Sequence, residues 1–433
     1  MNRFNKTEKS WMFYDWGNSA YSIIITTAIF PIFYKNSATN AGISGADSTA
    51  YLGYTISIAT FILAMMGPIL GTIADYQENK KKFFKIFMLL GVTSTALLAF
   101  IPNDQWLLLL ILYTFAVLGS SGSNVFYDAF LVDVTTDERM DRISARGFSL
   151  GYIGSTIPFF ISIAIITLAQ NELIPLSVSL ASQIAFLITA AWWGIFSLPI
   201  LKNVHQLHYI KRDPNPVLNS FKRLGQTVKE IRKYRALFLF LLAYFFYIDG
   251  VGTIISMSTA YGTDLGISSI NLLIVLFVTQ VVAAPFAILY GRLADKFSGK
   301  RMLYVGIIVY IFVCIYAFFM ETTLDFWILA ILVATSQGGI QALSRSYFAK
   351  LVPKEKANEF FGFYNIFGKF ASIMGPLLVG VTAQLTGSSS HGVFSLVILF
   401  IIGLLILIRV PEPKKTVIEA SPFQTNKPPH GLS

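Results

Sequence analysis

The sequence contains one phrase twice: Gly71-Thr72-Ile73-Ala74-Asp75, followed by Lys80-Lys81, and Gly291-Arg292-Leu293-Ala294-Asp295, followed by Lys300-Arg301. Each copy ends a long apolar run with a short charged turn, so each is predicted to join two helices. A duplicated helix–turn–helix joint in a hydrophobic chain is typical of membrane proteins that are built from two structural repeats.

The composition also indicates a membrane protein. The 433 residues are 55% hydrophobic and 13% charged, whereas soluble domains carry about 25% charged residues. The net charge of +10 does not indicate nucleic-acid binding, because the basic residues lie in particular loops. The single cysteine, Cys314, lies in an apolar run and cannot form an internal disulfide. No signal peptide is expected, because Met1 to Ser10 is polar.

Twelve segments are long and apolar enough to cross a bilayer, which takes about 20 residues. They are 13–34, 51–74, 83–101, 106–130, 148–169, 177–200, 236–259, 270–293, 302–320, 325–348, 360–385 and 392–410. We therefore predict an all-α membrane protein with twelve transmembrane helices in two homologous six-helix bundles. The predicted units are an N-terminal bundle (1–200), a basic linker (201–235), a C-terminal bundle (236–410) and a disordered tail (411–433).

The loops predict the orientation of the chain. With the N-terminus in the cytoplasm, the six outer loops contain one basic residue, Lys35, of the chain's 33. The inner loops carry most of the others, and this bias toward the inner side supports both the orientation and the even number of spans. Both termini are predicted to be cytoplasmic, and the membrane is predicted to be the inner membrane of a bacterium.

The linker is the most basic part of the sequence. It carries nine basic residues against two acidic ones, and the stretch from Val217 to Lys233 has the pattern of an amphipathic basic helix. We interpret it as a connection that lies on the anionic inner leaflet. A regulatory or protein-docking role is the alternative.

The repeated joints have a physical interpretation beyond topology. Gly71 and Gly291 would let a neighbouring helix approach closely. Asp75 and Asp295 would accept hydrogen bonds from an adjacent helix N-terminus, and the basic residues that follow, among them Lys300 and Arg301, would face anionic headgroups. Such contacts could hold one side of the protein closed, which we call gating. The alternative is that they only fix topology and the tight turn.

The joints resemble the signature loop between the second and third helices of the major facilitator superfamily. Tyr76 stands where a basic residue is usual in that loop, which implies a weaker salt bridge. Longer stretches resemble the vacuole effluxer-like branch, also called the unknown-major-facilitator family. They are Tyr14-Asp15-Trp16-Gly17-Asn18-Ser19, Asn124-Val125-Phe126-Tyr127-Asp128-Ala129-Phe130-Leu131, Phe245-Phe246-Tyr247-Ile248-Asp249-Gly250-Val251, Gly338-Gly339-Ile340-Gln341-Ala342-Leu343-Ser344-Arg345-Ser346 and Glu359-Phe360-Phe361-Gly362-Phe363-Tyr364.

This resemblance covers essentially the whole chain. It implies a twelve-helix transporter with a binding site near mid-membrane between its two halves. Family members include a yeast protein implicated in releasing amino acids from the vacuole, so the resemblance also makes amino acids a candidate substrate class.

Two ionisable residues fall in the middle of predicted spans, where a charge is costly and marks a functional hypothesis. Asp249 lies roughly 20 Å from the inner end of the seventh span and Lys369 roughly 15 Å from the inner end of the eleventh, at 1.5 Å per residue. They are predicted to form either an internal ion pair or the two poles of a site for a zwitterion. A purely structural pair is the alternative.

Other polar residues extend this candidate site. Asp15, Asn18, Ser22 and Thr26 form one polar stripe on the first helix, and Gln337, Gln341 and Arg345 share one face of the tenth. We predict substrate-binding roles for Asp15, Asn18, Ser22, Asn124, Tyr247, Asp249, Gln337, Gln341, Asn365 and Lys369. We predict gating roles for Gly71, Asp75, Asp128, Gly291, Asp295, Lys300, Arg301 and Arg345. Asp15 could instead cap an interface, and Arg345 could instead bind a substrate carboxylate.

Several chemistries are disfavoured. The four histidines, at positions 205, 208, 391 and 430, all lie outside the predicted spans, which argues against a metal site or a histidine proton relay. The lysine in Gly368-Lys369-Phe370 follows no strand and precedes no Ser or Thr, so it is not part of an ATP-binding phosphate loop. No enzyme activity and no cofactor are expected.

We therefore expect a secondary active transporter that exports a small polar or zwitterionic solute by rocking of its two halves. The expected partners are that solute and the lipid bilayer, with proton coupling left open, and the expected state is a monomer. The alternatives are an exporter of amphipathic compounds or drugs and a non-transporting membrane receptor or assembly factor.

Overall fold

The computed structural model describes residues 4–211, 216–229, 231–264, 267 and 269–412. The regular structure in these ranges is helical, apart from a single β-bridge between Tyr76 and Ile210. The helices of the first half and of the connection are α1 (Lys6–Ala20), α2 (Ile29–Asn40), α3 (Gly45–Ala74), α4 (Asn79–Leu97), α5 (Trp106–Ala129), α6 (Leu131–Val134), α7 (Met140–Gln170), α8 (Val178–Asn203) and α9 (Pro216–Lys229).

The second half repeats this arrangement. Its helices are α10 (Arg235–Asp264), α11 (Ser269–Phe297), α12 (Gly299–Phe318), α13 (Thr323–Leu351), α14 (Ala357–Thr386), α15 (Ser389–Ser395) and α16 (Val397–Ile408). The predicted spans are confirmed, with the last one divided into α15 and α16. The helical form follows from the apolar sequence, because a helix satisfies its own backbone hydrogen bonds in lipid.

Eleven helices within the described residues are long and apolar enough to cross a membrane. The first predicted span is absent from that number because its helix is interrupted. A π-helical segment, Tyr21–Ala28, separates α1 from α2 without ending the helical path. Such π-helical insertions are frequently found at functional sites. With this interrupted helix, the described residues contain the predicted twelve crossings.

The two halves meet along two seams. In one seam α3 packs against α14, and in the other α7 packs against α11 and α13. Small residues allow the close approach, since Gly67 lies against the backbone of Gly362.

One end of the bundle carries the basic joints, and we call it the basic end. Both ends of the described chain lie there, because Phe4 contacts Arg142 and the Pro411 carbonyl accepts a hydrogen bond from Tyr347. The predicted disordered tail lies outside the described residues from position 413 onward. The predicted linker helix, from Val217 to Lys233, corresponds in part to α9 (Pro216–Lys229), which packs against α3.

Candidate functional site

The first joint binds the second half of the protein. The Asp75 Oδ1 atom accepts hydrogen bonds from the backbone nitrogen and the side-chain nitrogen of Asn358, both at 2.9 Å. Its Oδ2 atom accepts one from the Glu359 nitrogen at 3.3 Å. Asn358 and Glu359 form the first turn of α14, so the predicted contact with a helix N-terminus is confirmed for Asp75. Gly71 lies directly on the Asn358 carbonyl, and this approach leaves no room for a larger side chain.

The charged groups of this joint are buried and paired. Asp75 is 1% exposed, and this burial raises its pKa to about 7, although the Asn358 hydrogen bond and the Arg223 charge oppose the shift. Arg223 comes from α9 and reaches Asp75 Oδ2 at 3.4 Å and Glu359 Oε2 at 3.3 Å. Its guanidinium also lies over the Tyr76 ring. In the major facilitator signature loop, a basic residue usually stands at the position of Tyr76. Here Arg223 of the linker places a basic group beside that position.

The second joint keeps the glycine contact and loses the carboxylate contact. Gly291 lies against Ala145 near the start of α7, as Gly71 does at the start of α14. Asp295 is exposed and makes no hydrogen bond or ion pair with the described residues, so the predicted contact is wrong for Asp295. The reason is charge: α7 presents Asp141 in its first turn, where α14 presents the neutral Asn358, and the two carboxylates repel each other.

Asp141 instead binds the second half directly. Its carboxylate accepts hydrogen bonds from Ser346 Oγ and Lys350 Nζ, both at 2.6 Å. A further ion pair across the halves joins Lys354 to Asp137 at 3.0 Å. The hydrogen bonds and ion pairs between the halves are therefore concentrated at the basic end, which is closed in this conformation.

Two lysines of the joints are buried, and the prediction that they face headgroups is wrong for them. Lys80 Nζ pairs with Asp133 at 2.6 Å and donates to the Ala129 carbonyl at the end of α5. Lys300 Nζ donates to the carbonyls of Ile408 and Val410 at the end of α16. Both lysines thus neutralise a helix C-terminus, where a positive charge is favourable. Arg301 is exposed, in agreement with its prediction.

Asp133 also fastens the start of the linker to the first half. Its Oδ1 accepts hydrogen bonds from the backbone nitrogens of Leu207 and His208 and contacts the His208 ring at 3.0 Å. The charge of Lys80 and the hydrogen bonds from His208 hold the pKa of Asp133 below its ordinary value, although burial alone would raise it.

The most elaborate charged group between the halves is centred on Arg345 of α13. Its guanidinium pairs with Asp15 of α1 and with Asp128 of α5, both at 3.2 Å. The Nε and Nη2 atoms also donate to the side-chain and backbone oxygens of Ser144. We call Arg345, Asp15 and Asp128 the Arg345 clamp. It joins one residue of the second half to two acids of the first.

Aromatic rings complete the surroundings of the Arg345 clamp. The guanidinium lies 4.4 Å from the Phe148 ring centre, 4.7 Å from that of Trp11 and 5.4 Å from that of Tyr127. Arg345 is only 4% exposed. Burying this charge is favourable only because its hydrogen bonds, its acidic partners and the ring faces together replace water.

The polar stripe of the first helix continues from the Arg345 clamp. Asn18 Nδ2 donates to Asn124 Oδ1 at 2.8 Å, one turn beyond Asp15. Ser22, a further turn along, is exposed, although it lies inside a predicted span. Asn365 of α14 lies beside the Asp128 carboxylate. The structure therefore brings together predicted residues from α1, α5, α13 and α14.

Lys369 lies one turn beyond Asn365 on α14 and is exposed. It lines a narrow cleft between the halves, together with Leu63, Ala64, Gly67, Ser121, Val125, Gly362, Asn365 and Ile366. Within the described residues its amine has neither an acidic partner nor a hydrogen-bond acceptor. The cleft thus contains an amine at the interface of the two halves that has no polar partner among the described residues.

Asp249 and Tyr247 lie elsewhere, inside the second half. Asp249 is 1% exposed, and its Oδ1 atom accepts a hydrogen bond from the Gly375 nitrogen of α14 at 3.0 Å. Its Oδ2 atom has no partner among the described residues. The Tyr247 hydroxyl bonds Ser344 at 2.7 Å. An internal ion pair between Asp249 and Lys369 is therefore absent from the described residues, and that expectation is wrong.

The two glutamines of α13 have different surroundings. Gln341 is half-buried. Gln337 lies beside Tyr152 of the first half and also lines a largely apolar cavity inside the second half. This cavity has a volume of about 80 Å³ and includes Gln280, Thr253 and Thr279 among mostly aliphatic side chains.

Some residues of this site were not predicted. Asp141, Ser144 and Asn358 lie at the starts of α7 and α14, where the sequence shows only short polar stretches. Only the internal repeat could have pointed to them. Asp141 and Asn358 are each the second residue of a helix, and each of these helices meets a Gly-x-x-Ala-Asp phrase of the other half.

Comparison with known proteins agrees with this architecture. The family described as "Vacuole effluxer Atg22 like" matches residues 5–137 and 132–419. An "Uncharacterized MFS-type transporter YxiO" of Bacillus subtilis (strain 168) is 73% identical over 416 residues, which are 96% of this chain and 97% of that protein. "Autophagy-related protein 22" of Kluyveromyces lactis is 24% identical and covers 83% of this chain and 79% of its own.

Solved structures share the fold at low identity. The proton:xylose symporter XylE superimposes with a TM-score of 0.69 at 12% identity, over 94% of this chain and 96% of its own. The human organic anion transporter MFSD10 superimposes with a TM-score of 0.68 at 13% identity, over 93% and 99% of the two chains. The chain is therefore a multi-pass membrane transporter of the major facilitator fold, and it belongs to the vacuole effluxer Atg22-like family.

Proposed function

We propose that this protein is a secondary active transporter of a small solute that carries both a carboxylate and an ammonium group, such as an amino acid. The observation that carries the proposal is the unneutralised amine of Lys369 in the cleft between the halves. A carboxylate is the group that this amine would attract, and an intramembrane charge without a partner is costly unless a ligand or a water-filled path compensates it.

The opposite pole of the site is supplied by the Arg345 clamp. Lys369 lies one turn from Asn365, which lies beside Asp128, so the amine and the carboxylate share one face of the interface. A solute ammonium group would bind Asp128 or Asp15 and would compete with Arg345 for them. The sequence predicted Asp249 as the negative pole, but Asp249 is buried against Gly375. In this conformation we assign the negative pole to Asp15 and Asp128 instead.

This competition provides a mechanism for alternating access. The ion pairs of Arg345 cross between the halves and help to hold the basic end closed. A solute that neutralises Asp15 or Asp128 removes part of that attraction, and it can shift the equilibrium only by this difference in its affinity for the two conformations. Opening of the basic end then releases or admits the solute on that side.

The positive-inside bias supports a cytoplasmic location for the basic end. On that assignment, the conformation described above is outward-facing, and both termini are cytoplasmic. The family description contains the word effluxer, which favours export of the solute. A proton bound by Asp15 or Asp128 would weaken the Arg345 clamp in the same way as an ammonium group, so proton coupling through these acids belongs to the proposal.

The test is transport in proteoliposomes that contain the purified protein. We expect counterflow of labelled amino acids in the wild type and its loss in Lys369→Gln. Lys85→Gln, which removes an exposed lysine of α4, is the matched control and should transport normally. The corresponding amines without a carboxylate should not compete. Equal transport by the two lysine variants would exclude Lys369 from the site.

A second candidate function is supported by the largely apolar cavity in the second half. A cavity lined mainly by aliphatic side chains favours an amphipathic ligand. Export of amphipathic compounds would then depend on this cavity. Dye efflux that is reduced by Val275→Trp, which fills the cavity, and unchanged in Lys369→Gln would favour this function over the first.

A further inference from the structure

We propose that three arginines at the seam between α7 and α11 form a binding site for a phosphate group, carried either by an anionic lipid or by a soluble phosphate. A cleft of about 70 Å³ at the basic end is lined by Phe4, Arg142, Arg146, Ile288 and Arg292. The lining residues include neither Lys369 nor any member of the Arg345 clamp, and the site does not depend on the solute that the protein transports.

The arrangement of the three side chains supports an anionic ligand. Arg142 and Arg146 are four residues apart on α7, so they project from the same face of the helix. Arg292 reaches the cleft from α11 in the other half. Guanidinium groups bind phosphate oxygens through paired hydrogen bonds, a geometry that lysine does not provide.

The charges of this cleft are largely uncompensated. Within the described residues, none of the three arginines forms an ion pair with a carboxylate at 4.0 Å or less. The Asp295 carboxylate interacts with Arg142, and none of the residues that line the cleft is acidic. Three guanidinium groups therefore line the cleft, and like charges that face each other across a seam are destabilising without an anion between them.

Depth in the bilayer also fits a lipid headgroup. Arg142 and Arg146 lie two and six residues after the start of α7, about 3 Å and 9 Å along the helix axis. Arg292 lies five residues before the end of α11, about 8 Å from that end. These are the depths of the interfacial region, where basic pockets between transmembrane helices bind anionic headgroups. Phe4 closes one side of the cleft, with the Arg142 guanidinium over its ring.

The site is complete only when the basic end is closed, because its arginines come from both halves. A phosphate group that bridges Arg146 and Arg292 would therefore bind the closed conformation more tightly and stabilise it.

The experiment measures binding in two arms with purified full-length protein. In the first arm, native mass spectrometry follows retention of phosphatidylglycerol against phosphatidylcholine. In the second arm, inorganic phosphate is titrated in phosphatidylcholine nanodiscs, and the melting temperature is recorded. The variant is R146Q/R292Q, and the control K82Q/K85Q removes two exposed lysines from the same end.

We expect R146Q/R292Q to lose about tenfold or more in phosphatidylglycerol retention or in phosphate affinity, while K82Q/K85Q remains like the wild type. R146K/R292K should recover part of the binding, which excludes a folding defect as the cause. A response confined to the first arm identifies a lipid ligand, and a response in the second identifies a soluble phosphate. Equal binding by the two double variants, or no preference for phosphatidylglycerol and no phosphate response in the wild type, would overturn the proposal.

Discussion

Asp75 and Asn358 lie 283 residues apart in the sequence, and the Asp75 carboxylate accepts hydrogen bonds from both nitrogens of Asn358 at 2.9 Å. A residue at the end of one helix in the first repeat therefore binds the start of a helix in the second. Because this contact crosses between the halves, it exists only while the basic end is closed. A measurement that is sensitive to the contact between Asp75 and Asn358 therefore reports whether the basic end is closed.

Asp75 should make closure of the basic end depend on pH. Burial raises its pKa to about 7 from the ordinary 3.8. The closed form therefore binds the proton more tightly than an open form with an exposed carboxyl. Closure should be most favoured below about pH 4 and should weaken as pH rises to about 7, by up to about tenfold in the closed-to-open ratio per pH unit, with no further change above that. Distances between spin labels at positions 85 and 296 would measure it.

The control for this prediction is Asp75→Asn. The amide cannot ionise, so the part of the pH dependence that comes from this site should disappear. An unchanged pH profile in Asp75→Asn would show that other groups control closure.

Gly71→Ala should open the basic end. An added methyl group at Gly71 would overlap the Asn358 carbonyl, which belongs to backbone and cannot move aside alone. Gly67→Ala, one turn earlier on the same helix, meets its nearest neighbour at 3.6 Å and should be tolerated. The same spin-label distances should lengthen in Gly71→Ala and remain unchanged in Gly67→Ala. Matching distances in both variants would remove Gly71 from the gating residues.

Arg345→Gln should destabilise the closed conformation strongly. It leaves the carboxylates of Asp15 and Asp128 without their positive partner, and breaking a buried ion pair from one side costs about 3–5 kcal/mol. Neutralising both acids as well, in Asp15→Asn/Asp128→Asn/Arg345→Gln, should recover most of that loss. Thermal unfolding in detergent would measure it. Losses that simply add among the three substitutions would argue against a shared Arg345 clamp.

Lys80→Gln should destabilise the first half, although its neighbour two positions away can be replaced freely. Lys80 is fully buried, and its loss leaves Asp133 without the amine at 2.6 Å, at a cost of about 3 kcal/mol. Lys82 is exposed, and Lys82→Gln should change the stability by less than about 0.5 kcal/mol. Melting temperatures of the two variants provide the comparison. A similar small change in both would contradict a structural role for Lys80.

Much of this protein could be predicted from its sequence. The crossings followed from the length of the apolar runs, and the two-part architecture followed from the repeated Gly-x-x-Ala-Asp phrase. The polar stripes that include Asp15 and Arg345 followed from helical spacing. These features are local or periodic, so the physical chemistry of a helix in lipid is enough to determine them.

The choice of partners could not be predicted in this way. Depth along a helix made Asp249 and Lys369 equivalent candidates, yet the fold buries the first against Gly375 and exposes the second in the cleft between the halves. Similar phrases placed Asp75 against Asn358 and Asp295 against Asp141, at equivalent positions of the facing helices. The sequence by itself determined which residues carry charge and how deep they lie. Only the tertiary structure decided which charges meet, because the rotation and the neighbours of each helix depend on packing among all twelve.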